Sequence, residues 1–215
     1  MSSEHPDQII SGLRGLLSHT YLYILIQYLM GWHNKYRMYV KDFLPPLDNK
    51  RILDIGCGCA EILKFMPLSS IYVGYDMNTG YINYARKKYG DRATFHNQRV
   101  STMNLEDAGR FDIVLADGLL HHLSDKEAHD LFNIAHLALR DDGFLFTADP
   151  TIVPDQSWID RLICTSDRGR HVRSPEAYEE IARGVFPRID VHVIKNVSNR
   201  PQTGCFMKCY KSMRE

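Results

Sequence analysis

The chain has 215 residues, of which 44% are hydrophobic, so it can bury most of its apolar surface around a single core. Lysine plus arginine number 26 and aspartate plus glutamate number 26, which leaves a formal net charge of zero. A chain without a net positive field is a poor general binder of nucleic acids. We therefore expect a small-molecule partner and no nucleic acid.

The five cysteines are odd in number and lack the paired C-x-x-C spacing of a tetrahedral zinc site. This pattern predicts reduced thiols, a cytoplasmic protein and no metal centre. Cys205 and Cys209 are four residues apart in an expected strand, which places them on one face. We expect both thiols to be buried as small hydrophobic groups.

The apolar stretch from Leu13 to Trp32 raises the question of a membrane helix. His19 and Gln27 interrupt it, and its uninterrupted part is far shorter than the roughly 20 residues that span a bilayer. We therefore expect residues 1–49 to form a helical cap packed on the main domain. Weak association with a membrane interface is the alternative.

From Arg51 onward, short β-branched runs alternate with helical stretches, the pattern of a parallel sheet covered by helices on both faces. Asn78 is expected to cap the helix after the second strand, and Gly90 to end it in a left-handed conformation. Ser124 and Glu127 have the spacing of a capping box. Strands are predicted at 51–55, 71–76, 93–97, 111–116 and 144–148.

The regular alternation ends after Pro150. We interpret residues 151–183 as an insertion that is charged and irregular up to Arg173 and helical after a cap at Ser174. Two further runs, at 189–197 and 204–210, predict a closing antiparallel hairpin.

Together these elements predict an α/β fold with a doubly wound, mostly parallel seven-stranded sheet and a C-terminal antiparallel hairpin. We divide the chain into an N-terminal helical cap at 1–49 and a Rossmann-like domain at 50–215 that contains the insertion. No sequence pattern indicates an oligomeric state.

A glycine-rich turn follows the first strand directly. Gly56 and Gly58 have no Cβ, so a ligand can approach the backbone closely. A dinucleotide-binding turn would carry a third glycine where this chain has Glu61, whose carboxylate would lie near a pyrophosphate. Asp54 can instead accept a hydrogen bond from a cationic amino group. The turn therefore favours a cofactor that has such a group and no phosphate.

Two later segments strengthen this interpretation. Asp76 ends the second strand, 22 residues after Asp54, where a carboxylate can accept from both hydroxyls of a ribose. The segment 111–123 reads FDIVLADGLLHHL, and its strand is expected to end beside the first strand, at the switch point where open sheets bind ligands.

Through ILDIGCG at 52–58, YVGYD at 72–76 and FDIVLADGLLHHL at 111–123, the sequence resembles the class I S-adenosylmethionine-dependent methyltransferases. The resemblance extends over about Lys50 to Asp149. It implies S-adenosyl-L-methionine as the cofactor. It also implies that Gly56, Cys57 and Gly58 line the methionine part, Asp76 binds ribose, Met77 covers adenine and the backbone of Ala116 faces the methionine amine.

Within this class, the sequence is similar to bacterial small-molecule enzymes through Tyr21, the Gln27 to Gly31 motif and Asp167-Arg168-Gly169. It departs from the class pattern after the third strand, where Arg99 stands in place of a frequent acidic residue. Adenine is therefore expected to be bound there by backbone groups or by Ser101.

A sulfonium methyl group is already activated, so the enzyme must position the nucleophile, exclude water and, for a hydroxyl acceptor, remove a proton. His121 and His122 follow the fourth strand and are candidate bases, although the pair can equally serve packing. Asp149, at the end of the fifth strand, is a further catalytic candidate with a structural alternative.

The insertion is rich in basic residues that could bind an anionic acceptor. Arg168, Arg170 and His171 are the candidate substrate-binding residues there, and Tyr21 is the candidate in an aromatic lid over the pocket. A solvated, salt-bridged loop and a core-facing helix are the respective alternatives.

We take O-methylation of a hydroxylated metabolite or saccharide as the leading reaction, with N- and C-methylation open. A nicotinamide-dependent reductase is an alternative that Glu61 disfavours. A non-catalytic module that binds S-adenosylmethionine is a third hypothesis.

Overall fold

The computed structural model describes residues 20–101, 110–166, 169–197, 199 and 201–213, with side chains from residue 24 onward. The helices within these ranges are α1 (Thr20–Leu29), α2 (Trp32–Met38), α3 (Thr79–Tyr89), α4 (Asp125–Ala138), α5 (Trp158–Thr165) and α6 (Pro175–Arg183). A π-helical turn spans Tyr39–Phe43, and 3-10 turns span Glu61–Phe65 and Leu120–His122.

The described strands form one seven-stranded sheet in the order β3-β2-β1-β4-β5-β7-β6. They are β1 (Arg51–Ile55), β2 (Ile71–Tyr75), β3 (Ala93–His96), β4 (Phe111–Asp117), β5 (Leu139–Pro150), β6 (Arg188–Ile194) and β7 (Gly204–Tyr210). Neighbouring strands from β3 to β5 pair in parallel, and β7 pairs antiparallel with both β5 and β6. The predicted fold class is therefore confirmed, and the strand order reverses between β1 and β4.

Side chains that alternate along the strands build two hydrophobic clusters, one on each face of the sheet. One cluster contains Leu53 together with Phe132 of α4 and Tyr178 of α6. The other contains Ile52 and Tyr39 of the π-helical turn. The sheet is consequently covered on both sides, as a doubly wound fold requires.

The N-terminal helices pack on the sheet through aromatic contacts. Tyr39 lies edge-on to Phe146 of β5 and Phe206 of β7, with ring centroids 5.1 and 5.5 Å apart. Gly31 joins α1 to α2 with a left-handed φ of 75°, and a Cβ there would lie 2.6 Å from the side chain of Asn199. No helix of the described residues is long and apolar enough to cross a bilayer.

Most predicted helix caps are confirmed. Asn78 accepts from the backbone of Tyr81, Ser124 forms a capping box with Glu127, and Ser174 caps α6. The left-handed conformation predicted for Gly90 is wrong, because its φ is −60°. A glycine is needed there for another reason, since a Cβ would lie 2.5 Å from the carbonyl oxygen of Arg86.

Two boundaries also differ from the prediction. Strand β5 begins at Leu139 rather than at residue 144, because the polar residues before Phe144 form an irregularity inside the strand and not a turn ahead of it. The segment up to Arg173 is not wholly irregular, because it contains α5. That helix is fixed by contacts distant in sequence: buried Asp160 accepts from the backbone and hydroxyl of Thr203 at 2.9 and 2.5 Å.

All five cysteines are free and buried, as predicted for Cys205 and Cys209.

Candidate active site

The glycine loop lies where β1 ends at the switch point of the sheet. Gly56 and Gly58 have left-handed φ values of 78° and 53°, and the backbone N–H groups of Gly56 and Cys57 donate to the carbonyl of Tyr75 at 2.8 and 3.0 Å. A Cβ on Gly58 would meet no atom within 4 Å, so the loop borders open space there. A Cβ on Gly56 would lie 3.2 Å from Leu119, which places the segment after β4 against the loop.

Asp54 lies in β1, two residues before Gly56, and is only 5% exposed. Burial raises the pKa of its carboxyl to about 7, although the hydroxyl of Tyr72, which donates to it at 2.5 Å, lowers that pKa. Among the described residues, no lysine or arginine forms an ion pair with Asp54. A buried carboxylate in this position is stabilised by a cationic ligand group, which fits the amino group expected from the sequence.

Asp76 follows β2 and holds the glycine loop in place. Its carboxylate accepts from the backbone N–H of Gly58 at 2.9 Å and of Asn78 at 2.7 Å. Burial raises the pKa of Asp76, and these two hydrogen bonds oppose that rise. Met77 beside it is 43% exposed, so its side chain can cover a ligand. The ribose and adenine contacts of these two residues remain predictions.

Asp76 also supplies a test of the loop. Asp76→Ala removes an anchor of Gly58 together with the expected ribose acceptor, so we expect cofactor affinity to fall about 10-fold or more. Asp76→Asn, which keeps one acceptor oxygen, should lose less. Calorimetric titration of both variants measures the difference, and an unchanged affinity in Asp76→Ala would contradict the assigned role.

Arg99, which follows β3, pairs with a residue of a neighbouring helix. The guanidinium of Arg99 lies 3.3 Å from Glu127 of α4. Ser101 is half-buried, and the chain that follows it lies outside the described residues. Ala116 is fully buried in β4, and the contact of its backbone with a methionine amine stays a prediction.

Glu61 does not lie where the sequence comparison with dinucleotide-binding turns put it. Its carboxylate accepts from Lys88 at 2.6 Å and pairs with Lys64, so it is turned towards α3. The preceding residue, Ala60, has a left-handed φ of 53° and leads into a 3-10 turn rather than an α-helix. The argument from Glu61 against a pyrophosphate therefore loses its structural basis.

His121 and Asp149 form a buried pair behind the ends of β4 and β5. The carboxylate Oδ1 of Asp149 lies 2.7 Å from His121 Nδ1 and accepts from the His121 backbone at 3.1 Å. Asp149 is 4% exposed, and its second oxygen, Oδ2, has no hydrogen-bond partner among the described residues. A buried carboxylate oxygen without a partner is costly, so a ligand donor is the natural explanation for it.

The other predicted residues of this region lie around His121. The ring of His122 is 4.0 Å from that of His121, and the backbone of His171 donates to the carbonyl of His121 at 3.0 Å. Gly169 packs so closely that a Cβ would lie 2.2 Å from the ring of His121. The segment 169–173 therefore closes over this histidine.

Gly169 gives a stability prediction. Gly169→Ala forces the backbone to move, because the added Cβ would also lie 2.3 Å from the carbonyl oxygen of His121, so we expect about 1–3 kcal/mol of destabilisation. Gly184→Ala is the control, because Gly184 has a right-handed φ of −64° and its added Cβ would meet only the His129 ring and a carbonyl, at 3.4 Å or more. Chemical denaturation compares the two, and equal stabilities would contradict the close packing.

The basic cluster of the insertion is divided between structural and exposed residues. The guanidinium of Arg173 donates to the carbonyls of Leu120 and Leu123 at 3.0 and 2.7 Å and pairs with Asp125, so it fastens the segment after β4. Arg170 is exposed. Arg168 and the side chain of Tyr21 lie outside the described residues, and the substrate-binding role of the whole set stays a prediction.

The sequence interpretation missed three residues at this edge. Lys35 of α2 donates to both oxygens of Asp117 at 3.0 and 2.9 Å, and the hydroxyl of Tyr39 donates to Asp117 at 2.9 Å. Asp117 had a signal, because it is the acidic last residue of a buried strand at the switch point. Lys35 and Tyr39 are 82 and 78 residues away from it and carried none.

Tyr39 links this network to the His121–Asp149 pair. Burial raises the pKa of its hydroxyl, and the charges of Asp117 and Asp149 raise it further. The hydroxyl therefore stays protonated as a donor, and both carboxylates lie within electrostatic reach of it.

Comparison with known proteins agrees with this geometry. Residues 52–143 match the family model described as "Methyltransferase domain". A ubiquinone biosynthesis O-methyltransferase from Aromatoleum aromaticum is 31% identical over 83 residues, which cover 37% of this chain and 36% of that protein. The matched part spans half or less of the length of the curated relatives.

Solved structures share the fold at low sequence identity. An S-adenosylmethionine-dependent methyltransferase from Corynebacterium glutamicum is 16% identical with a TM-score of 0.59, covering 90% of this chain and 98% of that one. Phosphoethanolamine N-methyltransferase 2 from Haemonchus contortus is 14% identical with a TM-score of 0.67, covering 92% and 59%.

The strand order, the two-sided helical cover and the left-handed glycine loop define a Rossmann-like methyltransferase fold. Residues 52–143 therefore match a methyltransferase domain within a fold that S-adenosylmethionine-dependent methyltransferases of known structure share.

Proposed function

We propose that this chain transfers the methyl group of S-adenosylmethionine to a small-molecule acceptor. The observation that carries this proposal is the buried carboxylate of Asp54. Burial raises its pKa to about 7, and Asp54 lies two residues before a glycine loop that borders open space. A ligand that lies against this loop and carries a cationic amino group fits both features. S-adenosylmethionine has such a group, and relatives of the same family are named methyltransferases.

The residues that would hold the cofactor lie at the ends of two neighbouring strands, β1 and β2. Asp54 would bind the ammonium, the backbone of the glycine loop would line the methionine part, and Asp76 would accept from the ribose. When bound, the cofactor supplies an activated methyl group on a sulfonium. The chain's own groups then have to orient the acceptor, exclude water and take up a proton.

We further propose that the methylated atom is a hydroxyl oxygen and that Asp149 is the base. Its Oδ2 is buried and has no partner among the described residues, while Oδ1 is held by His121. In the reaction, the acceptor oxygen would receive the methyl group that the cofactor's sulfonium supplies, the sulfur would keep the electron pair of the broken sulfur–carbon bond, and Asp149 would take up the hydroxyl proton. His121 is the positioning residue of this pair. The named activity of the ubiquinone biosynthesis O-methyltransferase is consistent with a hydroxyl acceptor.

Calorimetric titration tests the cofactor assignment directly. We expect S-adenosylmethionine and S-adenosylhomocysteine to bind in the micromolar range, and NADH to show no binding under the same conditions. Binding of NADH alone would contradict the proposal. Turnover of labelled S-adenosylmethionine against a metabolite extract, with products separated by bond type, then tests O-methylation, and label found only on nitrogen or carbon would overturn the oxygen assignment.

A further inference from the structure

The ammonium of Lys35 is enclosed in a box of one carboxylate and three aromatic rings, which we call the cation box (Trp32, Tyr36, Tyr39 and Asp117). Lys35 Nζ lies 2.9 and 3.0 Å from the two oxygens of Asp117. It lies 3.9 Å from the ring centroid of Trp32 and 5.3 Å from those of Tyr36 and Tyr39. Lys35 is 8% exposed, so these groups replace nearly all of its water.

The cation box stands beside the candidate cofactor loop. Asp117 is the last residue of β4, and Gly118 after it donates to the carbonyl of Ala148 at the end of β5. The charge of Asp117 contributes to the raised pKa of Asp54, so the two carboxylates are electrostatically coupled. The box therefore lies at the edge where the acceptor must meet the methyl group.

A carboxylate together with aromatic faces is a combination that selects ammonium groups. The buried Lys35–Asp117 pair is expected to add little to the free energy of unfolding, because a buried ion pair seldom stabilises a fold better than packed hydrophobic side chains do. Lysine is also a flexible occupant, with four rotatable bonds between its ammonium and the short helix α2. These properties suit a site that exchanges one ammonium for another.

We infer that the methyl acceptor carries a protonated amine, which binds in the cation box in place of Lys35 Nζ. The inference rests on the proposed function and specifies its substrate class. Asp117 and the rings stabilise the protonated form of an amine, which has no lone pair for attack. The bound amine is thus an anchor, and a hydroxyl of the same molecule, as in an amino alcohol or an amino sugar, is the group that is methylated.

The first test measures the box without any methyl transfer. The chain has two tryptophans, and Trp158 is 75% exposed on α5, so Trp158→Phe leaves Trp32 as the only tryptophan reporter. In that background we expect Lys35→Ala to give a saturable change of Trp32 fluorescence with ethylammonium chloride and none with ethanol or sodium chloride. Adding Asp117→Asn should weaken ethylammonium binding about 10-fold or more. A response to sodium chloride equal to that of ethylammonium would overturn the box as an ammonium site.

The second test uses the Trp158→Phe chain with Lys35 in place, so that it does not depend on the folding of a lysine variant. With S-adenosylhomocysteine present, Trp32 fluorescence is titrated with tyramine against 4-ethylphenol and with glucosamine against 2-deoxyglucose. We expect the amine of at least one pair to bind about 10-fold or more tightly than its neutral partner. Equal binding within both pairs, or no binding by either amine, would overturn the inference.

If the chain is not a methyltransferase, the experiments give a different pattern of results. In that case neither S-adenosylmethionine nor S-adenosylhomocysteine would bind in the calorimeter, whereas the ethylammonium titration would still report on the box. Binding of the cofactor with no amine preference would leave the methyltransferase proposal standing and remove only the substrate class.

Discussion

Asp54→Asn is expected to weaken S-adenosylmethionine binding about 100-fold, because it removes the buried negative charge that would face the cofactor's ammonium. The same contact makes binding pH-dependent. The pKa of Asp54 in the folded chain is about 7, and only its ionised form attracts a cation. Cofactor affinity should therefore fall as the pH drops below about 7 and level off above it.

Tyr72 provides a matched variant for this prediction. Its hydroxyl donates to Asp54 and lowers the pKa of that carboxyl, so Tyr72→Phe should move the midpoint of the pH dependence upward. Asp54→Asn should remove the dependence altogether. Calorimetry between about pH 5.5 and about pH 8.5 covers the transition. An affinity of the unaltered chain that does not change across this range would argue against the contact.

The same ionisation affects the free protein. A carboxyl whose pKa is higher in the folded than in the unfolded chain favours folding while it is protonated. Its contribution to the free energy of unfolding is therefore lost as the pH rises from about 4 towards about 7. Bound cofactor should offset this loss, so stabilisation by S-adenosylmethionine should be larger at about pH 8 than at about pH 5.

Asp149→Asn is expected to lower the rate of methyl transfer to a hydroxyl acceptor about 100-fold or more while cofactor affinity changes little. The reason is that an amide cannot take up the proton that Oδ2 is proposed to accept. Single-turnover kinetics with labelled S-adenosylmethionine separates the chemical step from binding. A more acidic acceptor, such as a phenol, should recover part of the lost rate, because less help from a base is needed.

Asp160→Asn is the control for this variant. Asp160 is equally buried, but it lies on α5, where it binds Thr203 and takes no part in the proposed chemistry. We expect it to lower stability and to leave the rate of the chemical step nearly unchanged. If both variants lowered the rate alike, loss of folded structure would explain the Asp149 result and the assignment as a base would fall.

For His121, the sequence motif gives the position of the residue but not its role. The paired histidines after β4 were recognisable from their position, yet their neighbours in sequence could not decide between catalysis and packing. The fold brings Asp149 to His121 from 28 residues away and Gly169 over its ring. We propose from these contacts that His121 positions Asp149, whose Oδ2 has no hydrogen-bond partner among the described residues.

The glycine loop likewise combines features that the sequence predicts with one that only the packing of a helix determines. Gly56 and Gly58 were recognisable from sequence as residues without a Cβ, and the left-handed φ values of both use that freedom. The orientation of Glu61 did not follow, because Lys88 of α3, which holds it, becomes its neighbour only when the helix packs.

The sequence by itself determined the seven strands, most of the helices and their caps, and the glycine loop with its flanking carboxylates, but it did not predict α5. Those features depend on residues close together in the chain, where side-chain periodicity and backbone preference act directly. Only the tertiary structure decided that Lys35, Tyr39 and Asp117 form one network and that a buried oxygen of Asp149 has no partner among the described residues. The reason is physical: burial and pairing between distant segments arise when the sheet closes and the N-terminal helices pack on it, and no local pattern encodes them.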